Sequence, residues 1–192
     1  CCRPHCCASV GGGCAFQESY GDGSGVAGTI VSDRVYVGQL IADNSWLGVF
    51  NRAKPMHDGG LFEAPDLDGI MGVAGGDLNS MYGREPVLDT ILTSNNLSNI
   101  FGLCLGGMAG GQSRMDLGSV DPEKFVGELI HVEFEHRPDG GFAYYKMAAP
   151  HRTSVGTETL AAEAAAFNTD GGVTIDSGTT YLLLATPLFQ MM

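Results

Sequence analysis

The sequence predicts an all-β fold with few short helices, on three observations. Glycine fills 29 of 192 positions, about twice ordinary usage, with no collagen period. Short runs of β-branched and aromatic residues alternate with turn-forming residues. Clear helical spacing is found in one stretch, after Pro86. Hydrophobic residues at 44% against 17% charged supply a packed core and argue against global disorder. The length suits one large domain or two small ones.

Residues 16–38 read as a hairpin. A polar-apolar limb reaches Tyr20, and Gly21-Asp22-Gly23-Ser24-Gly25 forms a glycine-dense turn. Residues 29–37 return, rich in β-branched and aromatic side chains. Residues 51–64, with Pro55 and Gly59-Gly60, read as loop, and residues 69–74 as a short apolar block. Pro86 opens the predicted helix: Val87, Leu88, Ile91 and Leu92 recur at helical spacing, and proline is favoured in a first turn. Asn95-Asn96 ends it. Residues 101–105 predict a strand, 106–111 its turn, and 115–118 and 129–134 two further strands. Residues 157–167 are alanine-rich and predict helix. Val173-Thr174-Ile175 predicts a strand running into Asp176-Ser177-Gly178-Thr179-Thr180.

Composition also excludes. The formal charge of −12 leaves no cationic footprint for nucleic acid. No apolar run approaches the ~18 residues of a membrane span. The chain begins with Cys1 rather than Met, and Phe189-Gln190-Met191-Met192 reads as the start of an apolar helix; a piece of a longer protein is expected. Five of six cysteines, Cys1, Cys2, Cys6, Cys7 and Cys14, lie in the first fourteen residues. They predict a disulfide-stapled loop in a secreted or endomembrane protein. A zinc site using them with His5 fits poorly, because structural zinc takes two separated ligand pairs. Cys104 either pairs or is a buried free thiol.

Several motifs dissolve on inspection. Gly23, Gly25 and Gly28 satisfy a dinucleotide-type glycine pattern, yet strand-like residues follow where a helix must begin. Asp66-Leu67-Asp68-Gly69 lacks the remaining ligands of a calcium loop. The five histidines are scattered, and no G-x-S-x-G elbow occurs. Asn96-Leu97-Ser98 is a glycosylation sequon, usable only in a secreted protein and also met by chance. The stretch 173–180 differs in kind. A carboxylate ends an apolar strand, and Gly178 lets a backbone N–H approach it while Ser177 and Thr179 offer hydroxyls. An Asx-type turn closing a strand and an acid held for chemistry are both open on spacing alone.

Three blocks, in order and separation, carry a resemblance over nearly the whole chain. Tyr20-Gly21-Asp22-Gly23-Ser24-Gly25 resembles the flap tip of pepsin-like aspartic proteases, and Asp68-Gly69-Ile70-Met71-Gly72 their hydrophobic-glycine block. Residues 173–180 resemble their second catalytic loop. Residues 14–20, Phe101-Gly102-Leu103-Cys104 and residues 176–181 look closest to the plant-type branch (peptidase A1, nepenthesin-like).

The resemblance implies a bilobal all-β fold, with residues 1–126 as the remainder of the N-terminal lobe and 127–192 as the beginning of the C-terminal lobe. It implies that Asp176 is one of two catalytic acids, supported by Ser177, Gly178 and Thr179, and that Tyr20, Gly21, Asp22, Gly23 and Ser24 form a substrate-binding flap. Water would be the nucleophile, the substrate a polypeptide, with no metal or cofactor, a monomer, acting in the secretory pathway, a vacuole or lysosome-like compartment, or outside the cell. The sequence departs from the family by holding a single Asp-Thr/Ser-Gly loop. These 192 residues alone are therefore expected to lack peptidase activity. A catalytically inactive pepsin-fold inhibitor or binding protein is the alternative.

Overall fold

The computed structural model describes residues 14–54, 68–78, 83–107, 111–136, 138–141, 143–148, 150, 153–160, 166–167 and 173–192. The chain divides into two compact units, Cys1–Val73 with Asn79–Val126, and Ala74–Leu78 with Gly127–Met192.

The first unit is built on an antiparallel meander of β1 (Cys14–Ser19), β2 (Gly25–Val37) and β3 (Leu40–Lys54). The predicted hairpin is β1–β2, paired from Cys14↔Ile30 to Ser19↔Gly25. Alternation places Phe16, Val26 and Ile30 inside, with Cys14, Tyr20, Trp46 and Phe50 packed against them. Gly28 lies in register between Phe16 and Phe50, beside a register shift at Ala27/Gly28. A Cβ there would stand 2.0 Å from the Val49 carbonyl oxygen, so only glycine admits this strand approach. The Phe16 ring similarly occupies the space over Gly48.

Strand β3 corrects the loop expected from residue 51, since beyond the register shift at Asn51 the ladder resumes from Ala27↔Arg52 to Gly25↔Lys54. A long twisted ribbon with β2 outweighs the weak local preference of Asn51.

Helix α1 (Val87–Ser94) follows Pro86, which stands at the N-cap. It buries Leu88, Ile91 and Leu92 and packs on β3, and Asn95 Nδ2 donates to the Ile41 carbonyl at 3.0 Å. The helix ends in a Schellman motif. Asn96, at φ +52°, donates its amide to the Thr93 carbonyl at 3.1 Å, and the Leu97 amide donates to the Leu92 carbonyl at 2.9 Å. Strands β4 (Phe101–Cys104) and β5 (Arg114–Leu117) pair antiparallel as expected. Cys104 is a free thiol but exposed rather than buried, because it sits at the end of this two-stranded ladder.

In the second unit, β6 (Lys146–Met147) pairs with β9 (Val173–Thr174), and β7 (Thr153–Val155) with β8 (Glu158–Leu160). Two expectations are corrected. Residues 129–134 form no strand beyond one bridge, Phe134↔Met147, since the segment has no continuous partner. Residues 158–160 are strand, not helix. Gly156 at φ +59° turns the chain back on itself, and hairpin pairing with β7 outweighs the local helix propensity of Glu158 and Leu160. Residues 161–165 lie outside the described residues, as does the cysteine-rich segment before Cys14, which is itself disulfide-bonded. Helix α2 (Thr186–Met191) buries Leu188. Among the described residues no helix is long and apolar enough to cross a membrane.

Candidate active site

Two carboxylates identified from the sequence, one in each unit, are held by the same local device. In the first unit the β1–β2 turn closes by hydrogen bonds from the Gly23 amide to the Tyr20 carbonyl and from the Tyr20 amide to the Ser24 carbonyl, both 2.9 Å. Gly23 sits at φ +82°, the left-handed position such a hairpin loop requires. Asp22 Oδ1 accepts from the Ser24 amide at 2.9 Å and the Ser24 hydroxyl at 2.6 Å. The Ser24 hydroxyl, followed by its amide, holds the Asp22 carboxyl below the ordinary carboxylate range. Ser24 is buried beneath the turn. Tyr20 packs on the Phe16 cluster. Burial first, and the Glu18 charge second, push its phenol above the ordinary value.

In the second unit, Asp176 follows the short ladder of β6 and β9, which the Ile175 amide extends by donating to the Tyr145 carbonyl at 2.9 Å. On the other side of β6, the Glu135 amide donates to the Lys146 carbonyl at 2.7 Å, and the Phe134 and Tyr145 rings meet edge-on at 5.2 Å. The strand therefore delivers Asp176 from a braced platform.

The two Asp176 oxygens are bound separately. Oδ1 accepts from the Gly178 amide at 2.9 Å, and Oδ2 from the Thr179 hydroxyl at 2.6 Å. The Thr179 amide donates to the Asp176 carbonyl at 3.3 Å. A Cβ at Gly178 would come 3.2 Å from Oδ1, tighter than ordinary contact. The loop closes as an Asx-type turn, with the Gly178 amide and the Thr179 hydroxyl each on its own carboxylate oxygen. With a donor on each oxygen the carboxylate plane is fixed, while Asp176, Ser177, Gly178 and Thr179 all remain exposed. Such a group can accept a proton from a bound water at an oxygen whose direction is set in advance.

Of the expected site residues, Tyr20 to Ser24 form one turn and Asp176, Gly178 and Thr179 one clamp. Ser177 is exposed and Asp68–Gly72 lies in irregular backbone. The sequence reading missed Trp46, which packs against the same Phe16 cluster as Tyr20 and carries the Arg84 guanidinium 4.3 Å from its ring centroid. The β-former density of Trp46-Leu47-Gly48-Val49-Phe50 is the signal that finds it.

An antiparallel β architecture with a glycine-rich hairpin tip and an acid clamped in an Asp-Ser-Gly-Thr loop defines the pepsin-like aspartic protease class. The chain belongs to the eukaryotic aspartyl protease family, which it matches over residues 7–192. It is similar to Rhizopuspepsin-1 of Rhizopus niveus, 28% identical over 90% of this chain and 40% of that protein. It is also similar to Aspergillopepsin-1 of Aspergillus clavatus, 26% identical over 95% and 42% respectively. The chain thus spans about two-fifths of the length of these curated relatives. The crystal structure of an aspartic proteinase from Irpex lacteus shares the fold, with a TM-score of 0.53 at 18% identity over 67% of this chain and 38% of that one.

Proposed function

We propose that the natural protein of which these residues are part is an aspartic-type endopeptidase in which Asp176 is one of two acids activating a water. The observation that carries this reading is the separate clamping of the Asp176 oxygens by Gly178 and Thr179, supported by family membership. Two carboxylates about 3 Å apart cannot both ionise, so such a pair shares one proton. The ionised member takes a proton from the water as its oxygen attacks the scissile carbonyl carbon. The protonated member donates to the carbonyl oxygen, giving a neutral tetrahedral diol. Collapse of the diol breaks the C–N bond as a proton passes to the leaving nitrogen.

Only one Asp-Thr/Ser-Gly loop occurs in the 192 residues, so the partner acid comes from outside them, and alone they have no peptidase activity. Tyr20 and the turn Gly21-Asp22-Gly23-Ser24 act as a flap over a polypeptide substrate. A phenol pushed upward stays protonated and able to donate. Ser177 braces the opposing catalytic loop, the one that carries the partner acid. Residues 1–126 belong to the N-terminal lobe and 127–192 to the C-terminal lobe. No metal or cofactor takes part, and the protein works as a monomer. The cysteine-rich start favours the plant-type branch and a secretory, vacuolar or extracellular setting.

The test is cleavage of an acid-denatured protein by the natural gene product and by the 192-residue chain. Cleavage by the first and none by the second is expected. Absence of cleavage by the natural product, with retained binding of peptides, would instead favour a catalytically inactive binding protein or inhibitor of the same fold.

A further inference from the structure

We infer that Asn96 is a site of N-linked glycosylation. Asn96-Leu97-Ser98 is the one Asn-x-Ser/Thr sequence among the 192 residues, and the structure gives its two asparagine neighbours different tasks. Asn95 is committed to the fold: its side-chain amide donates to the carbonyls of Ile91 at 2.8 Å and Ile41 at 3.0 Å. Asn96 is exposed, and only its backbone is used, in the left-handed C-terminal position of α1. Ser98, whose hydroxyl the sequon requires, is exposed as well.

Backbone bonds hold the segment in place on both sides. The Leu97 amide donates to the Leu92 carbonyl, the Ile100 amide to the Ser98 carbonyl at 2.8 Å, and the Gly118 amide to the Ile100 carbonyl at 2.7 Å. Leu97 turns inward over Gly118, where an added Cβ would meet its side chain at 2.9 Å. Inward Leu97 between outward Asn96 and Ser98 leaves the acceptor on a surface turn where a bulky hydrophilic group displaces no buried contact. A second non-glycine residue with positive φ, Asn44, lacks the hydroxyl residue two positions on.

The donor class is a polyprenyl-diphosphate-linked oligosaccharide. The bond from the sugar anomeric carbon to the phosphate oxygen breaks, and a bond forms from that carbon to Asn96 Nδ2. The amide nitrogen loses one proton, and the polyprenyl diphosphate leaves. The inference rests on the secretory setting proposed above, not on peptidase activity.

The experiment expresses the natural gene product in a eukaryotic secretory cell and maps peptides before and after amidase deglycosylation in heavy-oxygen water. The expected result is a glycopeptide spanning residue 96 that becomes a heavy-oxygen aspartate at that position. It is lost in Ser98→Ala and in Asn96→Gly, which keeps the left-handed backbone, and retained in Ser98→Thr. Recovery of secreted, folded protein with unmodified Asn96 overturns the site alone. Retention of the protein in the cytosol overturns the site and the secretory setting together, leaving the peptidase reading to its own assay.

Discussion

The Thr179 hydroxyl donates to Asp176 Oδ2 at 2.6 Å, on the oxygen opposite the one taken by the Gly178 amide. Removing this hydroxyl frees the carboxylate to rotate about its remaining bond without opening any packed core, since the loop is exposed. Thr179→Val in the natural gene product is expected to lower kcat/KM by about tenfold or more, the worth of a hydrogen bond to a charged group. Its melting temperature should stay close to wild type. Thr179→Ser should restore the rate. A fully active Thr179→Val would show that the hydroxyl does not position the acid.

The first unit makes a stability prediction at Gly28. A methyl group there meets the Val49 carbonyl oxygen at 2.0 Å and the Phe50 Cα at 2.6 Å, both backbone atoms of the paired strand. Neither can move aside without parting β2 from β3. Gly28→Ala should cost about 3 kcal/mol or more in chemical denaturation, at the upper end of overpacking effects. Gly21→Ala, with no atom within 4 Å of its Cβ, should stay within about 0.5 kcal/mol of wild type. Equal effects at the two glycines would contradict the strand register.

The flap turn carries a pH dependence whose sign follows from Asp22. Its folded carboxyl lies below the ordinary value because Ser24 donates to the ionised form. The stabilisation is therefore present above the ordinary aspartate value and is lost as pH falls through the lower, folded value. Carboxyl chemical shifts should give Asp22 a midpoint below that of an unfolded control, and Ser24→Ala should move it upward. An Asp22 midpoint unchanged by Ser24→Ala would contradict the turn geometry. The device keeps the hairpin tip closed below the pH at which an ordinary aspartate protonates.

What was legible in the sequence was what local chemistry decides. The glycine-dense turn at 21–25, the helix after Pro86 and the strand into Asp176 are set by positive φ, by 3.6-residue spacing and by a polar stop after an apolar run. The hydroxyl and glycine around Asp176 were visible as residue types, while which oxygen each binds needed coordinates. What pairing decides was not legible. Arg52, Ala53 and Lys54 extend β3 past the unpaired Asn51 because β2 is long enough to pair with them. Residues 158–160 abandon helix propensity for a hairpin partner across Gly156. Residues 129–134 alternate correctly yet find one bridge instead of a strand neighbour. Asn95-Asn96 marks the end of the helix in the sequence, while which of the two takes the left-handed φ and shapes that end needed coordinates.

The most direct measurement is the acid peptidase rate of the natural gene product with Asp176→Asn, an isosteric change that keeps an acceptor oxygen for Thr179 but removes the ionisable group. A loss of about 10²–10⁴-fold in kcat, with folding intact by circular dichroism, is predicted for a group that moves the proton of the attacking water. Retention of the wild-type rate in folded Asp176→Asn protein would contradict the assignment of Asp176 as a catalytic acid.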